Sequence, residues 1–245
     1  MKNIVLQLAI EGKLVPQDES DEPASKLVDK IEKEKNKIIK EGKIRNSNSK
    51  KINENEIPFK IPCNWEWVRL NNVAFINNGK SPSKYRLKDS GKYPYIKVSD
   101  MNLPKNGKEI KVSNNYTDDL KENNLIPEYS IIFPKRGGAI ATNKKRIVKK
   151  RIYVDSNTMA LTPINKETFL YIKTWFDKLD LWELNSGTAV PQINNKDINP
   201  LLIPIPPLEE QKRIVKKVDS IMSVIDKLEE ELLKKEDLVE KLGSI

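Results

Sequence analysis

Histidine is absent from this 245-residue chain, and there is one cysteine, Cys63. Without histidine there is no Ser-His-Asp or Cys-His nucleophile, no zinc-hydrolase helix motif and no imidazole acid–base chemistry. One cysteine allows neither an intrachain disulfide nor a thiolate metal cluster. Glycine is scarce, at nine residues, and the one adjacent pair is Gly137-Gly138. That pair is followed by neither Lys-Ser/Thr nor a G-x-G-x-x-G pattern, so the phosphate-cradling loop of nucleotide enzymes is missing. No apolar run approaches the length needed to span a bilayer. The start, residues 1–10, is faintly like a signal peptide, but Gln7 interrupts it, Glu11 ends it and no small-residue cleavage site follows, so a cytoplasmic protein is expected. Asp155 and Asp197 are candidate Mg²⁺ ligands, but they stand in no recognisable constellation. The expectation is a chain with no active site and no cofactor of its own.

Positive charge is in surplus. The net charge is +9 and the pI about 9.3. Residues 1–60 carry 13 basic and 11 acidic groups, residues 61–207 carry 23 and 14, and residues 208–245 carry 8 and 10. The excess therefore sits in the middle of the chain, which suggests a polyanion as partner of that region. The bland alternative is an AT-biased genome, which would inflate lysine, asparagine and isoleucine everywhere.

Two loops concentrate this charge. Residues 134–151 hold eight bases, Lys135, Arg136, Lys144, Lys145, Arg146, Lys149, Lys150 and Arg151, and no acid. Lysine and arginine supply ionic contacts to phosphates, and Arg136 or Asn143 could read a base edge. The second run is Gly79–Arg86, where Lys80, Ser81, Ser83, Lys84, Tyr85 and Arg86 place hydroxyls beside cations. Either run could instead be a solvated hairpin. Lys144, Lys145 and Arg146 are expected in an exposed turn between strands.

The chain reads as four segments. Residues 1–22 are the end of a helix and a turn, with Gly12 as the stop. Residues 23–56 are a helix and a polar, mobile linker. Asp21 is expected to cap that helix, Leu27, Ile31 and Ile38 form its apolar stripe, and Gly42 ends it. Residues 57–207 are a folded domain. Strands are expected over 95–98, 130–133, 146–154, 158–162 and 201–205, and a helix over 167–184, with Trp175 and Trp182 in the core. Strands and helices without strict alternation suggest an α+β domain with a mixed sheet. Residues 208–245 carry Ile214, Val218, Ile221, Ile225, Leu228, Leu232, Lys235, Val239 and Leu242 at alternating spacings of four and three. That rhythm is a coiled-coil seam that needs a partner helix. Residues 203–207, Ile-Pro-Ile-Pro-Pro, read as a stiff hinge that sets the helix apart.

These pieces resemble one family, the DNA-specificity subunit of type I restriction–modification systems. The most specific motif is Pro206-Pro-Leu-Glu-Glu-Gln-Lys-Arg-Ile-Val215, followed by Val218 and Asp219. The second is Ala9–Asp18 with Asp21–Ser25; weaker matches are Ile57–Leu70, Gly79–Pro82, Phe133–Ile140 and Gly187–Ile193. The family has two target-recognition domains, each followed by a conserved helix, whereas this chain shows one of each. Reading Leu238–Leu242 into Ile4–Ile10 restores a continuous helix, so the chain resembles half of a two-fold repeat.

The resemblance implies a non-catalytic subunit that binds half of a bipartite duplex DNA target, pairs with itself through the coil and scaffolds methyltransferase subunits. Those partners would carry S-adenosylmethionine. ATP, Mg²⁺ and DNA cutting would belong to partner subunits, including a motor–nuclease. Two other classes stay open: a Mg²⁺-dependent nuclease with an unusual carboxylate site, and a pure coiled-coil scaffold.

Overall fold

The computed structural model describes residues 1–45 and 49–243, and for residues 237–243 the backbone alone. Val239 and Leu242 of the seam lie outside the described side chains.

α1 (Lys2–Ile10) and α2 (Ala24–Lys40) come first. β1 (Glu66–Arg69), the single turn α3 (Leu70–Val73), β2 (Ala74–Asn78), β3 (Tyr93–Ile96), β4 (Tyr116–Thr117) and β5 (Ser130–Pro134) follow. Then come β6 (Arg146–Val148), β7 (Tyr153–Val154), β8 (Thr158–Pro163), α4 (Phe169–Lys178), the turn α5 (Asn195–Ile198), β9 (Leu202–Ile205) and α6 (Leu208–Gly243). The class is α+β, as expected. A four-stranded antiparallel sheet runs β2-β8-β5-β6, a three-stranded sheet runs β4-β3-β7 with β3 and β7 parallel, and β1 pairs with β9.

The sheet is built on period-two alternation. Ile131 and Phe133 of β5 face one core, shared with Met159 and Leu161 of β8, and α4 closes it with Ile172, Trp175 and Phe176. Ile132 and Ala160 face a second core with Ile96, Met101 and Val154. Phe133 and Phe176 meet edge-on at 5.1 Å.

Several expectations are corrected. Residues 146–154 do not form one strand. β6 pairs with β5 and β7 with β3, and the exposed Lys149-Lys150-Arg151 run carries the chain between the two sheets. The helix expected to reach residue 184 stops at Lys178, because the next turn is tied down by side chains: Leu181 N donates to Asn143 Oδ1 and Trp182 N to Asp180 Oδ1. Leu181 takes the inward place, and Trp182 is left 47% exposed, outside the core. Asp21 does not cap α2, whose N-cap is Pro23; its carboxylate instead accepts from Arg213 at 3.1 and 2.5 Å.

The proline segment is not a free hinge either. Residues 202–205 are β9, and α6 is fastened where it starts. Glu210 is fully buried and accepts from Trp65 Nε1 at 2.8 Å and Gln17 Nε2 at 2.6 Å. Gln211 Nε2 donates to Pro206 O at 2.9 Å. The first half of the seam is covered by its own chain: Ile214, Val218 and Ile225 are buried, and Lys2 bridges Asp226 and Glu229 at 2.7 Å each. With Lys2 at that level and Gln17 at the level of Glu210, α1 runs antiparallel to α6. Beyond it, Leu228 and Leu232 are 48% and 58% exposed, and Lys235 is exposed.

Of the linker 43–56, expected to be mobile, residues 46–48 lie outside the described residues, and residues 49–56 are bound by Arg69. Its guanidinium donates to Lys50 O, Lys51 O and Pro200 O at 3.0–3.3 Å and to Glu56 Oε2 at 2.7 Å.

Candidate nucleic-acid interface

Antiparallel pairing places three strand ends together. Asn78 at the end of β2 lies opposite Met159, and Pro134 at the end of β5 opposite Thr158. The two basic loops therefore leave the same edge of the sheet. A third segment, 185–194, joins them: Ile193 N donates to Lys135 O, and Gly137 N to Pro191 O.

Amides lock these loops together. Lys135 Nζ donates to Asn78 Oδ1, and Asn78 Nδ2 to Asn195 Oδ1, both at 2.8 Å. Gln192 Nε2 donates to Asn194 Oδ1 at 2.7 Å. Asn185 Oδ1 accepts from Gly187 N and Gln192 N, which pins the base of the 187–192 loop and leaves Thr188, Ala189 and Val190 exposed at its tip. Two glycines are required by close backbone approach: a Cβ on Gly79 would sit 1.8 Å from Asp155 O, and one on Gly187 2.1 Å from Val190 O.

Three cations cluster here. Burial, with Arg136 and Lys80 nearby, holds the Lys135 ammonium below its usual range. Lys80 and Arg136 are exposed and form no ion pair among the described residues. Such a cluster at a rigid edge suits an anion with several charges.

The rest of the two basic runs is placed differently. Ser81 and Ser83 hydroxyls lie 2.9 Å apart, Lys84 is exposed, and the exposed Arg86 donates through Nε and Nη2 to the one oxygen Oδ1 of Asp119, whose Oδ2 accepts from Arg86 N. Tyr85 is a correction: it is buried against Tyr95 and Tyr153, with ring centres at 5.3 and 4.6 Å, so it anchors its loop. The exposed turn expected at 144–146 is also overturned. Lys144 donates to Asn102. Arg146 donates to the carbonyls of Asn106, Lys145 and Met101. Lys145 Nζ lies 5.2 Å from the Phe176 ring centre and donates to Leu179 O at 2.6 Å and Asn143 Oδ1 at 2.9 Å. Asn143, in the left-handed region at φ 49°, is thereby committed to local structure.

Burial pushes Lys145 down to about 8. Between that value and the ordinary 10.5, the unfolded chain holds a proton that the folded chain does not. Stability from this group therefore rises with pH across the window and is lost as pH falls through 8. Lys145→Met is expected to gain stability over the parent at pH 7, with the gap shrinking by up to about 3 kcal/mol by pH 10.5. Urea unfolding at both pH values checks this.

The site residues that the basic runs did not reveal are Asn78, Gln192, Asn194 and Asn195. The signal was present in the Asn-Asn pairs at 77–78 and 194–195, but asparagine is common throughout this chain. Asp155 and Asp197 are occupied structurally: Asp155 Oδ1 accepts from Thr158 Oγ1, and Asp197 Oδ2 from Asn194 N and Ser186 Oγ. Among the described residues, no three acidic or cysteine side chains converge, and no helix is long and apolar enough to cross a membrane.

A model of the type I restriction modification DNA specificity domain matches residues 62–236. The chain belongs to this family. It is similar to the type I restriction enzyme EcoAI specificity subunit of Escherichia coli, at 29% identity over 93% of this chain and 40% of the relative. It is also similar to the EcoEI specificity subunit of Escherichia coli, at 26% over 99% and 42%. The chain thus spans about two fifths of the length of these relatives. Among solved structures, a chain from a study of complex assembly and conformational transition of the type I R-M system shares the fold, with TM-score 0.63 and 21% identity over 89% of this chain and 52% of that one. The HsdS subunit from Thermoanaerobacter tengcongensis does so with TM-score 0.56 and 19% identity over 84% and 48%. The long α6 and mixed sheet are thus those of the specificity-subunit fold.

Proposed function

We propose that this specificity-family chain recognises one half of a bipartite duplex DNA target at the end of its central sheet. It acts as a non-catalytic subunit, pairs with a second copy through the distal half of α6 and seats methyltransferase subunits on its helices. S-adenosylmethionine would reside on those subunits, and ATP and Mg²⁺ would serve a motor–nuclease beyond them. The observation that carries the reading is the convergence of Lys80, Lys135 and Arg136 on one amide-locked edge. Phosphate contacts fix register, and base contacts specify. Lys80 and Lys135 serve the first role. Arg136, whose guanidinium can pair bidentately with a guanine edge, and the exposed tip 188–190 serve the second.

The test is the salt dependence of duplex binding, run with the methyltransferase partner present. Each phosphate contact contributes about 0.9 to the slope of log affinity against log salt. Changing Lys80, Lys135 and Arg136 together to alanine is expected to lower the slope by roughly two to three units. An unchanged slope would move the DNA face elsewhere. A pure scaffold would show no salt-sensitive affinity in the parent, and a nuclease would cut DNA when incubated alone with Mg²⁺.

A further inference from the structure

A polar cleft of about 490 Å³ opens beside the sheet end. β2 forms its floor, the end of α2 and residues 43–45 form one wall, and residues 123–124 and 195–199 supply the other. Lys35, Lys43, Arg45 and Lys80 line it, and no described carboxylate does. Lys43 is paired with Glu41 at 2.8 Å, and Lys35 is buried and donates to Asn72 Oδ1 at 3.1 Å. Arg45 and Lys80, both exposed, form no ion pair among the described residues. The amides of Asn77, Asn123 and Asn199 also line the cleft and hold no hydrogen-bond partner among the described residues.

Arg45 and Lys80, which have no ion-pair partner among the described residues, add to the positive potential of the cleft, and a polyanion neutralises it. Unpartnered amides can donate to phosphate oxygens as backbone-positioning contacts. The cleft is continuous with the sheet end, because Asn78 and Lys80 belong to both and Asn78 bonds Lys135 directly. We propose that this cleft holds the sugar–phosphate backbone of the duplex flanking the half-site, with Arg45 on one wall and Lys80 just beyond the β2 floor. The segment after α2 would then be a second, sequence-independent clamp on DNA. This inference rests on the proposed DNA-recognition reading.

The experiment compares Arg45→Ala, Arg45→Lys and the Lys80/Lys135/Arg136 triple-alanine variant. It uses the full chain with its methyltransferase partner, measuring salt-dependent binding to one defined duplex and hydroxyl-radical protection. Arg45→Ala is expected to lower the slope by about one unit and to remove protection on the flank, without changing which sequence is preferred. Arg45→Lys should restore both. A normal slope and footprint in Arg45→Ala, beside a lowered slope in the triple variant, overturns the clamp and leaves the sheet-end reading intact. A normal slope in both overturns both.

Discussion

Replacing Arg69 with alanine is expected to destabilise the fold by about 2–4 kcal/mol and to free residues 49–56 for proteolysis. Arg69 is 7% exposed, and its guanidinium holds three carbonyls as well as Glu56. Hydrogen bonds from a charged donor contribute about 1.5–3 kcal/mol each, and loss of the donor leaves part-buried carbonyls unpaired. Water reaches some of them, which keeps the total below a simple sum. For a chain of this size the loss corresponds to a fall in Tm of roughly 4–16 °C. Thermal melts and limited trypsin digestion measure the two effects. Arg69→Lys should recover little, because one ammonium cannot span the carbonyls of Lys50 and Pro200 at once. If residues 49–56 stay protected in Arg69→Ala, the contact between Ser49 Oγ and the Asn71 and Asn72 side chains is sufficient to hold the segment.

Arg69 also shows where the sequence was legible and where it was not. Strands 130–134 and 158–163 were readable because local apolar, β-branched runs matched their burial. α6 was readable from its seam, and its start at Leu208 from the two preceding prolines. By contrast, residues 49–56 are polar in composition, and only the distant Arg69 makes them structure. β1 and β2 were missed because each is short and half-buried, with pairing partners more than 80 residues away. The basic run at 134–151 was visible as charge, but charge does not tell which way a side chain turns. Lys135 and Arg136 leave at the end of β5, whereas Lys145 sits over Phe176. That division is set by the sheet register. The seam was likewise legible as apolar spacing, yet its first half proved to be filled by α1 and the domain.

The distal seam is therefore the place to test assembly. If two copies pair as proposed, Leu228→Asp with Leu232→Asp is expected to give a monomer in sedimentation where the parent is a dimer, with the domain's thermal unfolding unchanged. Substitutions at Ile214, Val218 or Ile225 would confound folding with assembly, because those residues are buried within one chain. Leu228 and Leu232 are already about half buried, so covering the rest of them from two chains contributes roughly 3–6 kcal/mol, about half of the 1.5–3 for each full burial. This is on the scale of the lower part of the 4–15 kcal/mol that association costs, so removing these leucines tips the balance. A dimer that survives the double change would place the interface away from this seam. The same pairing makes a prediction about the target. Two identical domains related by a two-fold axis read one half-site twice in opposite orientation, so the target should be an interrupted palindrome. α6 spans about 54 Å, or roughly 16 base-pair steps, which bounds the separation of half-site centres. A genome-wide map of methylated adenines, in cells carrying this chain with its methyltransferase partner, reads that motif directly. A non-palindromic bipartite motif would show instead that the distal half of α6 meets a helix from a different domain.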